Sequence, residues 1–267
     1  MRLHWGVRES MTAFSAVLSV LLFGCSPRPP AHGIAFAISI ETNVPSITAS
    51  SNLLQQTATV IRGRVESLLG LPVFIERTDS PGLLVKVREL NQDELKTMRE
   101  LLTRRGLLEF CMVHPKTEQL VEQGLVPPGY RVMEEQRAVR FGTNKTVIKW
   151  LVKTEPERGL TARYLLQILP KKDPMTGAGG LDFELNDEGA RLFQEITSEF
   201  QPRGGQYFQL AIVFDGEIAA VPRLMAPIPN GRGSISGNFN LKEATVLSTF
   251  LSNPLEAKCR IVQEQNF

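Results

Sequence analysis

LDFELNDEGARLFQEITSEF, residues 181–200, and YFQLAIVFDGEIAAVPRLMAPIPNGRGSISGNFNLKEATVLSTFL, residues 207–251, frame a polar, Gly-rich break and decide the fold. Leu181, Phe183 and Leu185 alternate on one strand face. Asn186 follows as a helix cap, and Ala190, Phe193, Ile196 and Phe200 recur at helical spacing. Residues 208–214 and 217–221 read as strands on either side of Asp215-Gly216. That dipeptide suits a type I′ hairpin, which needs positive φ at both turn positions. Pro222 and Pro227 bound the next segment, and residues 234–239 read as another strand. Asn240 and Glu243 then have capping-box spacing, ahead of a helix burying Leu241, Ala244, Leu247 and Phe250 or Leu251. A strand–cap–helix unit therefore occurs twice.

Upstream, residues 34–41 alternate large apolar with small or polar side chains, as a half-buried strand does. Leu54, Ala58, Ile61, Val65 and Leu68 mark an amphipathic helix that Gly70 and Pro72 end. Residues 73–77 and 83–90 are strands around a Pro-Gly turn. Asn91 and Glu94 form a capping box for a helix burying Leu95, Met98 and Leu102, and Gly106 stops it. Residues 108–112 complete a βαββαβ order, the pattern of a ferredoxin-like layer. Between the two regions, 117–124 reads as a short helix, and 130–134 and 146–153 as strands around a charged loop. A helical turn at 160–164 and a strand at 165–170 follow. The loop 171–180, KKDPMTGAGG, has neither the Lys-Ser/Thr of a P-loop nor a G-x-G-x-x-G pattern.

The N-terminus has a separate logic. Arg2 and Arg8 form a basic start, and residues 11–23 an apolar run shorter than the roughly 20 residues a membrane helix needs. The run ends in Leu22-Phe23-Gly24-Cys25, which resembles the bacterial lipoprotein box. That resemblance implies cleavage between Gly24 and Cys25, and acylation of the Cys25 thiol. Residues 1–24 are then a signal peptide and 25–33 a Pro-rich tether. Several acyl chains hold a protein stably on a bilayer, at about 0.8 kcal/mol per buried CH₂.

Thirty Lys and Arg face 28 Asp and Glu, a formal charge of +2, so nothing draws the chain to nucleic acid. His4, His32 and His114 are too scattered to ligate a metal, and no nucleophile–base motif is present. Asp187-Glu188 stands in the first turn of a helix, where acids complement the helix dipole. Glu134-Glu135 is a second acidic pair without a catalytic setting. The expectation is a binding protein with no cofactor. Cys111 and Cys259 are expected in one sheet; an oxidising periplasm would permit a disulfide between them, while their opposite faces favour two buried, unpaired thiols.

FELNDEGARLFQEIT, LAIVFDGEIAAVPRLMAPI, GRGSISGNFNLKEA and CRIVQEQ resemble the first periplasmic domain of SecD, an accessory subunit of the bacterial Sec protein-export machine. VIRGRVESLLGLPVFIERTDSPGLLVKVREL and LLTRRGLLEF are similar to the base of that domain. The likeness spans roughly 34–263. It implies an α+β fold, with a ferredoxin-like base at 34–115 and 255–263 and an inserted α+β head at 116–254. It also implies partners: exported or translocating polypeptide, and Sec translocon subunits. The membrane helices that flank this domain in SecD, and carry its proton-driven work, have no counterpart in the sequence, and the Gly-Leu-Asp-Leu-x-Gly-Gly motif is missing. The expectation is an envelope lipoprotein, lipid-anchored through Cys25 and facing the periplasm, without proton coupling. Its head would present the hairpin at Asp215 and Gly216 to a partner. The other reading is a structural or assembly protein that binds one fixed envelope partner.

Overall fold

The computed structural model describes residues 29–41, 47–78, 82–138, 145–236 and 239–267. The signal segment, Gly24 and Cys25, and the tip of the charged loop near 139–144 lie outside them. In chain order the elements are β1 (Ile34–Ile40), α1 (Ile47–Leu69), β2 (Phe74–Arg77), β3 (Gly82–Val87), α2 (Gln92–Thr103) and β4 (Leu108–Met112). Then come α3 (Thr117–Glu122), β5 (Tyr130–Ala138), β6 (Lys145–Lys153), β7 (Leu165–Lys172), β8 (Gly179–Leu185) and α4 (Asp187–Glu199). The last are β9 (Phe208–Phe214), β10 (Glu217–Ala220), β11 (Arg223–Leu224), β12 (Arg232–Ser236), α5 (Leu241–Ser252) and β13 (Cys259–Asn266).

The base is an antiparallel sheet of order β13-β1-β3-β2. Alternation in β1 buries Ile34, Phe36, Ile38 and Ile40, and β3 adds Leu83, Val85 and Val87. Leu54, Ile61 and Val65 of α1 and Met98, Leu101 and Leu102 of α2 belong to the same buried cluster. The capping box expected at α2 is present: Glu94 N donates to Asn91 Oδ1 at 2.9 Å, and Asn91 N to Glu94 Oε2 at 3.0 Å.

One strand was misplaced by sequence. Leu108–Met112 is not the fourth strand of the base. It pairs antiparallel with β9, from Leu108 opposite Phe214 to Met112 opposite Leu210. β13 fills the fourth position, running from Ile34 opposite Asn266 to Ile40 opposite Cys259. The physical reason lies in the two faces. Phe110 and Met112 join the main core, while Cys111 and Val113 join a second cluster with Met133, Val152, Ala211 and Val213. A strand buried on both faces needs a layer on each side, and only the head supplies them. β13 instead sets Gln263 opposite Ala37 and Gln265 opposite Ala35, and both glutamines are exposed. Cys111 and Cys259 thus lie in different sheets, both buried and both free.

In the head, β9 is flanked by β4 on one side and by β10 and β11 on the other. Leu210, Ile212 and Phe214 of β9 face the main core, and Ala211 and Val213 the second cluster. The β5–β6 hairpin covers that second cluster with Met133, Val152 and Trp150. A further antiparallel sheet has the order β12-β8-β7. Both expected caps are present: Asn186 Oδ1 accepts from Gly189 N at 2.9 Å, and Asn240 with Glu243 forms a full capping box. β12 starts at Arg232, two residues earlier than sequence periodicity suggests.

Candidate functional site

The hairpin at Asp215 and Gly216 forms as its sequence requires, with φ of 46° and 84°. Its acid, however, faces the protein. The Asp215 carboxylate accepts from Gly106 N at 3.1 Å and Leu107 N at 2.8 Å, and Asp215 N donates to Leu107 O at 2.9 Å. The turn is therefore tied to the α2–β4 connection. Gly216 and Glu217 are its exposed residues, and Glu217 pairs with Arg104 at 3.4 Å. A groove of about 630 Å³ runs beside the hairpin, with Val132, Phe214, Ile218, Phe239 and Leu247 among its walls.

A more apolar cavity, of about 330 Å³, is lined by residues 222–228 together with parts of β4, β8, α4, β9 and β12. Its floor is three phenylalanines. Phe110 lies 5.8 Å from Phe183 and 5.9 Å from Phe193, and Phe183 lies 5.9 Å from Phe193, all at inclined ring angles. Such tilted contacts suit the ring quadrupoles and fix each ring against its neighbours. Leu224 and Pro227 line the opposite wall. Gly233 completes the side, because a Cβ there would meet the Phe183 ring at 2.5 Å.

The 222–228 segment is held by local chemistry. β11 pairs only with Phe208 and Gln209 of β9. Leu210 N donates to Pro222 O at 3.0 Å, and Ile228 N to the buried Thr197 hydroxyl at 2.9 Å. Between those ties Arg223 and Leu224 pair with β9, and Pro222 and Pro227, which have no N–H to donate, bound the short paired stretch. Of the lining residues Met225 is 63% exposed, and the Arg223 guanidinium lies 5.5 Å from the Tyr207 ring centroid. This is a concave apolar cavity with the Arg223 cation among its lining residues. Sequence reading missed it because Phe110 was assigned to the base. The available signal was the unbroken apolar character of Phe110-Cys111-Met112.

The acidic pairs have structural surroundings. Asp187 and Glu188 occupy the first turn of α4. Glu135 accepts from Trp150 Nε1 at 2.9 Å, and Glu134 lies 4.0 Å from Lys149. His114 Nδ1 accepts from Lys116 N at 3.1 Å. Asp182 is held below the usual carboxylate range by Lys171 first and then by Ser234. Among the described residues no group of three or more His, Cys, Asp or Glu is placed to hold a metal ion. Among them, too, no helix is long and apolar enough to cross a membrane.

Comparison with known proteins gives a consistent picture. Residues 135–257 match the family model of the SecDF P1 head subdomain. The protein translocase subunit SecD of Desulfurispirillum indicum is 28% identical over 213 residues, covering 79% of this chain and 40% of that protein. SecD of Sebaldella termitidis is 30% identical over 188 residues, covering 68% and 43%. The chain thus spans about two fifths of the length of these curated relatives. The fold matches a crystal structure of SecDF in a super-membrane-facing form, with a TM-score of 0.63 at 20% identity, over 88% of this chain and 30% of that one. A second solved structure, of a membrane component SecDF that enhances protein export, gives a TM-score of 0.59 at 20% identity, over 86% of this chain and 98% of its own. The chain therefore carries a first periplasmic domain of the SecD type, with residues 135–257 forming its SecDF P1 head subdomain.

Proposed function

We propose that this domain serves protein export in the bacterial cell envelope by holding extended or unfolded polypeptide at its head. The observation that carries the reading is the apolar cavity lined by 222–228, with its floor of Phe110, Phe183 and Phe193. At about 330 Å³ it falls in the range of small ligand pockets and suits large apolar side chains of the kind a folded partner keeps buried. Its contacts are non-directional, so it suits many sequences. The exposed Met225 among its lining residues adds an adaptable surface. Neither binding nor release in this reading uses a catalytic residue, a cofactor or proton coupling. The lipoprotein-like N-terminus supports attachment to a membrane through acylated Cys25, with the head facing the periplasm.

A photo-crosslinking residue in place of Met225 tests the reading during export. The expected result is adducts with translocating preprotein, competed away by a carboxymethylated, permanently unfolded protein. Met225→Asp is expected to weaken binding of that unfolded protein about tenfold, roughly 1.4 kcal/mol. No adduct together with no measurable binding rejects polypeptide holding. Recovery of one stoichiometric envelope partner from the same position would favour the structural or assembly role. For the anchor, Cys25→Ala should move the protein from the membrane to the soluble fraction, and full retention on the membrane would contradict lipid attachment at Cys25.

A further inference from the structure

Arg64 projects from α1 and is the largest fully buried side chain among the described residues, at 0% exposure. All five of its N–H groups meet backbone carbonyls. Nε donates to Asn253 O at 2.8 Å. Nη1 donates to Leu101 O at 3.1 Å and Arg104 O at 2.6 Å. Nη2 donates to Arg105 O at 3.1 Å and Phe250 O at 3.5 Å. These acceptors belong to the last turns of α2 and α5 and to the segments that leave them. Both are helix C-termini, where orphan carbonyls and the helix dipole favour a cation.

The same two segments are the chain's two passages between base and head. One leads from α2 into β4, the other from α5 into β13. They are also tied to each other, with Leu255 N donating to Arg105 O at 2.7 Å and Arg105 Nη2 to Glu256 O at 2.8 Å. Gly106 permits the close approach. Its φ is +80°, and a Cβ there would stand 2.3 Å from Phe250 O. The Arg64 guanidinium also lies 5.0 Å from the Phe250 ring centroid.

We propose that Arg64 is the latch of the base–head junction: one cation that clamps both connecting segments against α1, so that losing it opens the junction while the base and head sheets stay paired. Burial lowers the Arg64 pKa to about 10, which still leaves it charged at neutral pH. Its hold is local. The base sheet and the head sheets are hydrogen-bonded separately, so no strand pairing depends on the guanidinium, although apolar side chains of both join one buried cluster. Opening of such a unit is the sub-global kind, distinct from complete unfolding.

The two buried cysteines make the distinction measurable. Cys259 begins β13 next to the second connecting segment, and Cys111 lies inside the head sheet. The experiment alkylates the full chain with N-ethylmaleimide and maps each cysteine by mass spectrometry. The proteins are the wild type, Arg64→Met, Arg64→Lys and Gly106→Ala. Gly106→Ala keeps the guanidinium but wedges the segments apart. Arg64→Met and Gly106→Ala are expected to speed Cys259 modification at least tenfold with Cys111 unchanged, and Arg64→Lys to fall between. The proposal is overturned if Cys111 and Cys259 quicken together in all three variants, which makes Arg64 a support of the whole fold. It is equally overturned if Cys259 stays as protected as in the wild type.

Discussion

Cys111 and Cys259 show how burial sets chemistry at the scale of one residue. Desolvation pushes the Cys111 thiol up to about 12 and the Cys259 thiol up to about 11, from an ordinary value of 9.0. The neutral thiol is therefore favoured in the folded chain, and both should resist alkylation near pH 8 until it unfolds. The linkage sign follows. These pKa values are raised on folding, so the stabilisation is present below pH 9 and is lost as pH rises toward 11–12. Urea midpoints measured from pH 8 to pH 10.5 should fall, and the fall should shrink in a Cys111→Ser, Cys259→Ser double variant. Asp215 makes a second point at this scale. Its carboxylate accepts two backbone N–H groups, so Asp215→Ala should destabilise by about 1–3 kcal/mol in urea unfolding. An acid whose only role was to meet a partner would leave stability unchanged. Sequence made the Asp215-Gly216 turn plain, because a turn is local. It could not show where the carboxylate points, because Gly106 and Leu107 are more than a hundred residues away in the chain. Arg64 was hidden for the related reason that charge usually signals solvent, although its place between Ile61 and Val65 on the apolar face was a signal in plain view.

At the scale of the element, the caps were fully legible. Asn91 with Glu94, Asn186, and Asn240 with Glu243 each act within four residues, so spacing alone specifies them. Asn91→Ala and Asn240→Ala should each cost about 1 kcal/mol, read as a lower denaturation midpoint with an unchanged m-value. β4 was the failure, and it failed by partner rather than by type. Residues 108–112 were correctly expected to be a strand, but strand type does not name a neighbour, and β9 begins nearly a hundred residues later. The cavity inherited that error, since Phe110 reaches Phe183 and Phe193 only when β4 stands in the head. Phe193→Ala removes one wall of that floor, and the ring is buried at 4% exposure. The expected loss is about 3–5 kcal/mol by chemical denaturation, with polypeptide binding reduced further than Met225→Asp reduces it.

For the whole molecule, the decisive fact is that the base is finished by the last strand of the chain. β1 has β3 on one side, and only β13 covers its other edge. Everything from β4 to α5 is thus inserted between α2 and the strand that completes the base sheet. This arrangement explains why the family likeness reads almost continuously along the sequence while the base is assembled from its two ends. It also assigns distinct consequences to damage at those ends. A variant ending at Lys258 loses the pairing from Ile34–Asn266 to Ile40–Cys259 and the Arg99–Glu264 ion pair at 3.0 Å. The ion pair is half-exposed, so the lost strand ladder and the uncovered flank of β1 account for most of the effect. Hydrogen exchange on that variant should show protection collapsing in β1, α1 and α2, while the amides of β4, β8 and β9 stay close to wild type. Collapse of β4 and β9 to the same extent would mean that base and head form one cooperative unit, and that insertion describes the path of the chain but not its energetics.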